Sequence, residues 1–216
     1  WEHRAAFYEA AATRADEARV FPGSDRLVAV LDGELPFMVQ AWTTQDIRTA
    51  VYLKEEIERE GLGQPRFVID AAAEAWLEPQ LLVRSKVAIV LPPFALAGRT
   101  GEGAFMTLES AAQLHELGVP LALSAHGRTG AGDSLGRQAG WAMRGGLPFE
   151  AALEAVTITP ARLIGVDDRV GSLEVGKDAD LVLWSGEPFE ASSAVIGVLV
   201  DGRLVLDPRD SAEKAD

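Results

Sequence analysis

The most specific pattern in the chain is VTITPARLIGVDDRVGSLEVGKDADLVLW, residues 156–184. It joins a Thr-x-x-Pro-Ala turn, a Gly-Ser-Leu-x-x-Gly-Lys-Asp-Ala-Asp block and a short apolar strand without a gap. The hydrophobic periodicity changes within this pattern, at Gly165. Before Gly165 strand and helix periods alternate, whereas after it short strands follow one another without helices between them. The sequence therefore predicts two structural parts that meet at this point.

The first part, residues 1–165, is predicted to be an α/β structure. Strands are predicted at residues 37–42, 66–70, 87–91 and 120–124. Helices are predicted at residues 1–19, 25–31, 46–60, 78–84, 108–117, 134–144, 149–155 and 160–164. Four strands that alternate with helices are typical of βα units, which form a parallel sheet with right-handed connections.

The second part, residues 166–207, is predicted to be a small β-domain. Its strands are predicted at residues 172–173, 181–184 and 195–205, the last with a turn at Asp201-Gly202. Residues 208–216 are predicted to be a disordered tail. Neither part closes on itself, because four βα units leave two open sheet edges, which natural proteins usually protect.

The composition excludes several classes of partner and site. The net charge of −13 disfavours binding to nucleic acid and to anionic membranes, whose phosphates would be repelled. Cysteine is absent, which excludes disulfides and thiolate metal sites. No apolar run reaches the roughly 18 residues that a membrane helix needs. Because Trp1 already lies in a helical pattern, we expect a piece of a longer protein.

The pattern at residues 156–184 resembles the C-terminal end of the amidohydrolase superfamily, metal-dependent hydrolases built on a TIM barrel. Residues 31–36, LDGELP, carry the same resemblance, and residues 8–205 are most similar to the imidazolonepropionase-related branch. The resemblance implies the C-terminal half of a TIM barrel, with strands 5 to 8, and β-strands that return to a sandwich begun by a missing N-terminal segment. The length of 216 residues agrees, because a complete TIM barrel usually needs about 250.

The family places its metal ligands at the mouth of the barrel: a His-x-His on the first strand, a His on the fifth, a His on the sixth and an Asp on the eighth. The first strand is not in this chain. On the fifth strand relatives carry His-Ala-His before Asp-Ile, whereas this chain has Gln40-Ala41-Trp42 before an intact Asp46-Ile47. The strand period places Gln40 and Trp42 on one face, toward the mouth, where neither side chain suits zinc.

The two remaining ligand positions also differ from the family pattern. Alignment of Glu74 with a glutamate of the family places Ala71 where many members carry His. On the eighth strand His126 replaces the Asp that is ligand and general base in relatives. An imidazole can bind metal or accept a proton, so His126 is the candidate catalytic residue, although a histidine packed or hydrogen-bonded at a strand end is favoured. No metal ligand is predicted, because a catalytic zinc needs about three protein ligands.

Other polar residues are interpreted structurally. His115 lies on a predicted helix without a second His at metal-binding spacing, and His3 carries no signal. Asp70 and Glu74 could act as paired carboxylates, but separate charges at a strand end and a helix start are favoured.

Two loops are the remaining candidates for a functional role. The glycine-rich residues 127–133 precede Ser134 and could bind an anion, although capping of the next helix by Asp133 is favoured. The block Lys177-Asp178-Ala179-Asp180 is interpreted as a turn that leads into a strand, away from any chemistry.

Three functions are compatible with these residues. The favoured one is a catalytically degenerate amidohydrolase that keeps the scaffold, with no cofactor expected in this chain. The second is an active hydrolase of C–N bonds in amides or cyclic amides, with zinc or another divalent metal on ligands outside the chain and His126 assisting. The third is a non-catalytic binding or structural subunit that pairs with an active paralogue through residues 92–103 and 126–133.

The expected partners follow from the same interpretation. They are the missing N-terminal half of the same protein and, for an active enzyme, a small-molecule amide substrate. No nucleic acid and no membrane are expected. Open sheet edges also predict that the chain alone dimerises or aggregates.

Overall fold

The computed structural model describes residues 2–94, 101, 104–125 and 134–207. The strands of the first part are β1 (Pro36–Gln40), β2 (Arg66–Asp70), β3 (Ala88–Leu91) and β4 (Leu121–Leu123). The helices are α1 (Glu2–Thr13), α2 (Ser24–Leu31), α3 (Thr44–Arg59), α4 (Pro79–Ser85), α5 (Ser110–Glu116), α6 (Leu135–Arg144), α7 (Phe149–Val156) and α8 (Ile158–Ile164). Single turns of 3-10 helix lie at Glu17–Arg19 and Ala75–Leu77.

The four strands form one sheet in the order β1-β2-β3-β4, and every neighbouring pair is parallel. Because strand order follows chain order, each helical connection carries the chain to the next strand along the sheet. The predicted α/β fold with a parallel sheet is therefore confirmed. Among the described strands, β1 pairs only with β2 and β4 only with β3, so both are edge strands.

The hydrophobic core lies between this sheet and the helices. Alternate strand residues point into it, among them Ile69, Ile89 and Leu91, all 0% exposed. Phe7 of α1 packs edge-on against Phe37 of β1, with ring centroids 5.1 Å apart. The other face of β1 is uncovered: Met38 is 48% exposed and Gln40 is exposed.

Two predicted elements of the first part end earlier than their periodicity suggested. The helix predicted to reach residue 19 ends at Thr13. The next residue, Arg14, donates to the Leu62 carbonyl oxygen at 2.6 Å and to the Asp32 carboxylate, and these contacts hold the chain just after the helix ends. The first strand, predicted to reach Trp42, ends at Gln40, although the Ala41 N–H still donates to the Asp70 carbonyl oxygen at 2.9 Å.

The second part contains β5 (Leu181–Trp184), β6 (Val195–Val200) and β7 (Arg203–Leu206) in an antiparallel sheet of that order. Asp201 and Gly202, at φ 51° and 72°, form the predicted turn between β6 and β7, because such a hairpin turn needs two left-handed residues. Asp180 accepts a hydrogen bond from the Asp201 N–H at 2.8 Å. The acidic block before β5 thus anchors this turn, in agreement with its structural interpretation.

The strand predicted at residues 172–173 is wrong. Ser172 lies instead in a polar turn, where its hydroxyl donates to the Glu174 carboxylate at 2.8 Å and accepts from the Lys177 ammonium at 2.6 Å. These local side-chain contacts compete with strand pairing, as serine often does. No helix in the described residues combines the length and the apolar character that a membrane crossing requires.

Candidate functional site at the carboxyl ends of the parallel strands

Parallel strands bring their carboxyl ends to one edge of the sheet, and Gln40 and Asp70 lie along that edge. Gln40 ends β1 and is in register with Asp70, which ends β2. Neighbouring strands lie about 4.8 Å apart, so these side chains point to the same face as neighbours. Gln40 is exposed and Asp70 is half-buried. Within the described residues neither side chain has a hydrogen-bond partner or an ion pair.

A carboxylate beside a carboxamide can hold an amide ligand, because the carboxylate accepts its N–H and the glutamine pairs with its carbonyl. The same two groups are a poor metal site, since zinc prefers histidine, cysteine and carboxylate ligands in groups of three or four. No group of three or more His, Cys, Asp or Glu side chains that could hold a metal ion occurs within the ranges given above.

The turn after β2 is tight and apolar. Ala71, Ala72 and Ala73 are each 0% exposed. Ala71 has φ 58°, a left-handed conformation that alanine rarely adopts, and its carbonyl oxygen accepts from the Ala73 N–H at 2.7 Å. The Ala72 N–H donates to the Val90 carbonyl oxygen of β3 at 3.1 Å. Ala71, at the position where the family resemblance implied a histidine, therefore contributes only a buried methyl group.

Glu74 closes this turn and supports the start of α3. Its carboxylate accepts from the Thr44 N–H at 2.6 Å and from the Thr44 hydroxyl at 2.8 Å. Its own N–H donates to the Trp42 carbonyl oxygen at 3.2 Å. Glu74 is thus a charge at a helix start, as the sequence favoured, but the helix is α3, which precedes β2. Glu74 does not pair with Asp70.

The residues that follow the end of β1 form a helix cap. Thr43 accepts from the Asp46 N–H at 3.3 Å, and the Asp46 carboxylate accepts from the Thr43 hydroxyl at 2.8 Å. This reciprocal arrangement satisfies donors at the start of α3. Trp42 is half-buried and packs against the core, and Ile47 is buried. The Asp46-Ile47 pair therefore has a structural role independent of any metal.

Gln138 was not singled out in the sequence, although it is 0% exposed. Its side-chain oxygen accepts from the Phe94 N–H at 2.8 Å, which ties α6 to the segment after β3. Its Nε2 has no hydrogen-bond partner among the described residues. A glutamine beside the buried Ala139 and Ala142 on α6 is the only signal that sequence reasoning could have used.

Several predicted residues cannot be placed. His126 and the glycine-rich residues 127–133, including Asp133, lie outside the described residues, as does most of the loop at residues 92–103. The cap of α6 is Ser134, whose hydroxyl accepts from the Arg137 N–H, so the expected capping by Asp133 is wrong. His115 is exposed on α5, in keeping with its structural interpretation, and the His3 side chain is not described.

An ion-pair cluster borders the uncovered edge of β1. The Glu56 carboxylate accepts from Arg4 Nη2 at 2.5 Å and from the Tyr8 hydroxyl at 2.9 Å. These hydrogen bonds, from Arg4 first, lower the pKa of Glu56, and the bond to Glu56 raises the pKa of Tyr8. Arg4 and Glu56 also line a groove of about 520 Å³ between α1, β1 and α3.

Comparisons with known proteins point to one family. Residues 95–205 match the family model described as Amidohydrolase family. The imidazolonepropionase of Syntrophobacter fumaroxidans is 40% identical over 91 residues, which are 41% of this chain and 22% of that enzyme.

Solved structures extend the similarity to the whole described fold. An amidohydrolase from Thermotoga maritima superposes with a TM-score of 0.81 at 30% identity, covering 94% of this chain and 54% of that one. An adenosine deaminase from Xanthomonas campestris with bound zinc has a TM-score of 0.55 at 22% identity, covering 89% of this chain and 50% of that one. The chain thus spans about half the length of the structures that it matches.

Proposed function

The chain belongs to the amidohydrolase family, and from this membership we propose that it is a catalytically degenerate member, the C-terminal half of a TIM barrel with a β-sandwich return. The family activity is metal-dependent hydrolysis of C–N bonds in amides or cyclic amides. In this chain the scaffold is kept and the ligand set is lost. Its strand-end groups bind an amide rather than cleave it.

The observation that carries the proposal is the donor set at the ends of β1 and β2. Gln40 and Ala71 stand where the family resemblance implies histidines, and the Ala71 methyl group is 0% exposed in a tight turn. A methyl group has no lone pair, and a glutamine amide is a weak ligand for zinc. The described residues therefore do not fit a catalytic metal, and no hydrolytic step is assigned to them.

The half-barrel interpretation is supported by the open sheet and by the lengths of the relatives. The Thermotoga amidohydrolase, which is covered over 54% of its chain, is longer by about one such half. The groove beside β1 has an apolar floor that includes Phe37, Val39 and Phe67. We assign this edge to the N-terminal half of the protein, whose last strand and helix would cover it.

Metal content tests the degenerate function. The chain, purified without chelator and then incubated with zinc or manganese, should retain far less than one metal ion per molecule by inductively coupled plasma mass spectrometry. The Xanthomonas adenosine deaminase, whose structure contains zinc, is the positive control.

Near-stoichiometric metal would contradict the degenerate function and favour an active hydrolase. His126→Ala then decides the role of that imidazole: loss of metal or of activity would identify His126 as an assisting residue. Repeating the measurement on the full-length parent protein separates ligands in this chain from ligands on the first strand.

A further inference from the structure

A second groove, of about 700 Å³, is lined by residues of α6, by Trp184 of β5 and by the segment that joins β5 to β6. Its size falls in the range of small-molecule sites, which is roughly 300–1,000 Å³. The residues that matter for recognition are Arg137, Trp141, Arg144, Trp184 and Phe189. None of its lining residues belongs to the four parallel strands, so binding here does not depend on the strand-end site.

Two glycines of α6 shape this groove. A Cβ atom on Gly140 would lie 2.9 Å from the Phe189 carbonyl oxygen, and one on Gly136 would lie 3.0 Å from Trp184 Cη2. The distance at Gly140 is too short for any side chain, and at Gly136 the indole of Trp184 would have to move, so these glycines permit the aromatic segment to approach α6 this closely.

The aromatic wall is held in place before any ligand arrives. Phe189 has φ 72°, a strained value for a residue with a side chain. Its ring packs edge-on against Trp184, with centroids 5.8 Å apart, and against Phe149 at 6.1 Å. A preorganised wall lowers the entropic cost of binding a flat molecule.

The groove carries positive charge from two arginines, whereas the whole chain has a net charge of −13. Arg137 and Arg144 are seven residues apart on α6, about 10 Å along the axis, and Trp141 lies between them on the same face. Both arginines are exposed, and neither forms an ion pair with a described residue. Elsewhere in the described chain many arginines are paired with carboxylates: Arg4, Arg14, Arg48, Arg84 and Arg169.

We propose that this groove binds an organic carboxylate with a flat aromatic body. Guanidinium groups recognise carboxylates through paired charge-assisted hydrogen bonds, which supplies affinity for the anionic end. The Trp141, Trp184 and Phe189 rings offer faces and edges on which an aromatic body stacks. Glu190, the acidic residue that also lines the groove, disfavours ligands with several negative charges.

Naphthoate is a suitable probe, and its neutral analogue naphthylmethanol is the matched control ligand. Isothermal titration of the chain at low salt should show naphthoate binding that is tighter than naphthylmethanol binding. The double variant Arg137→Gln/Arg144→Gln should weaken the naphthoate Kd by at least about tenfold, because each lost charge-assisted bond is worth roughly that factor. Arg26→Gln, at an exposed arginine of α2 outside the groove, should leave the Kd unchanged.

Two further measurements show whether the double variant is folded and whether naphthoate binds in this groove. Circular dichroism must show that the double variant keeps its helix content, since both arginines are exposed and their replacement should not unfold the chain. In an amide correlation spectrum, naphthoate should shift the Trp141 and Trp184 indole signals and not that of Trp76. Equal Kd values for the chain and the double variant, equal affinity for naphthylmethanol, or no binding at millimolar naphthoate would each overturn the proposal.

Discussion

At Ala71, a residue of the candidate site, the cost of a strained backbone conformation opposes the stabilisation from a buried methyl group. Its left-handed conformation, φ 58°, costs a residue with a Cβ atom about 1–2 kcal/mol. Its buried methyl group returns about 0.8 kcal/mol, and alanine rather than glycine lowers the entropy of the unfolded chain by about 0.4–1 kcal/mol. These contributions nearly cancel, so the turn after β2 is kept at little net cost.

A pair of glycine variants measures this balance. Ala71→Gly should leave the free energy of unfolding within about 0.5 kcal/mol of the parent, because relief of strain offsets the two losses. Ala73→Gly has the same losses without the relief, since Ala73 is equally buried and does not have a positive φ, and should be about 1–2 kcal/mol less stable. Urea unfolding measures both. An equal loss in the two variants would show that Ala71 is not strained.

Glu74 should matter for stability, not for catalysis. Glu74→Ala removes the acceptor of the Thr44 N–H and hydroxyl at the start of α3 and should lower the free energy of unfolding by about 1–2 kcal/mol. The control is Glu116→Ala, at an exposed residue at the end of α5, which should change it by less than about 0.5 kcal/mol. Similar losses in the two variants would count against this role.

At the same scale, the sequence shows which residues stand at the compared positions, but it could not reveal the contacts around them. The absence of ligands at Gln40 and Ala71 follows directly from their identities. By contrast, Glu74 reaches Thr44 across 30 residues and Gln138 reaches Phe94 across 44, and neither contact has a local pattern. The left-handed turn at Ala71 could not be predicted from the sequence either, because alanine does not favour that conformation.

At the scale of elements, the hydrophobic period predicted the bounds of strands whose residues alternate between buried and less buried positions. The core strands β2 and β3 lie at or within one residue of their predicted bounds, since Phe67, Ile69 and Leu91 alternate into the core. The prediction failed where polar side chains make contacts that the hydrophobic period does not show. Arg14, just after α1, contacts distant acceptors, and Ser172 lies in a turn held by side-chain hydrogen bonds.

The contact between α1 and α3 should be sensitive to acid. Because hydrogen bonds from Arg4 and Tyr8 lower the pKa of Glu56 below its ordinary value of 4.5, this cluster stabilises the fold above that pH. The stabilisation is lost as the pH falls through the lower folded pKa. The difference in Tm between the chain and Glu56→Gln should therefore be largest near neutral pH and shrink below about pH 4.5.

A second variant assigns this effect to the cluster. Arg4→Gln removes the main cause of the lowered pKa and should reduce the same acid-dependent difference in Tm. Differential scanning calorimetry across the acid range follows both variants. A difference that does not change with pH would contradict the coupling between Glu56 and Arg4.

For the whole molecule, the open edges of the described sheet predict self-association. β1 presents an unpaired edge and a half-exposed Met38, and such an edge pairs readily with another strand. Met38→Lys places a charge there and should shift the chain toward monomer in sedimentation velocity, whereas the parent should dimerise or aggregate. The control is Val83→Lys, at an apolar residue of α4 that is 40% exposed. A monomeric parent with a cooperative melt would contradict the half-barrel.

The sheet of β5, β6 and β7 has a consequence for the order in which the molecule opens. All four residues of β7 are exposed, and Val182 and Val205 are 52% and 62% exposed, so this sheet lacks a covered core of its own. Three strands without a packed face are marginally stable. In native-state hydrogen exchange, the amides of this sheet should exchange through local opening. The amides of β2 and β3 should exchange only through global unfolding. The chain would then contain a larger slow-exchanging part and a smaller fast-exchanging part, which are in contact where Phe189 packs against α6.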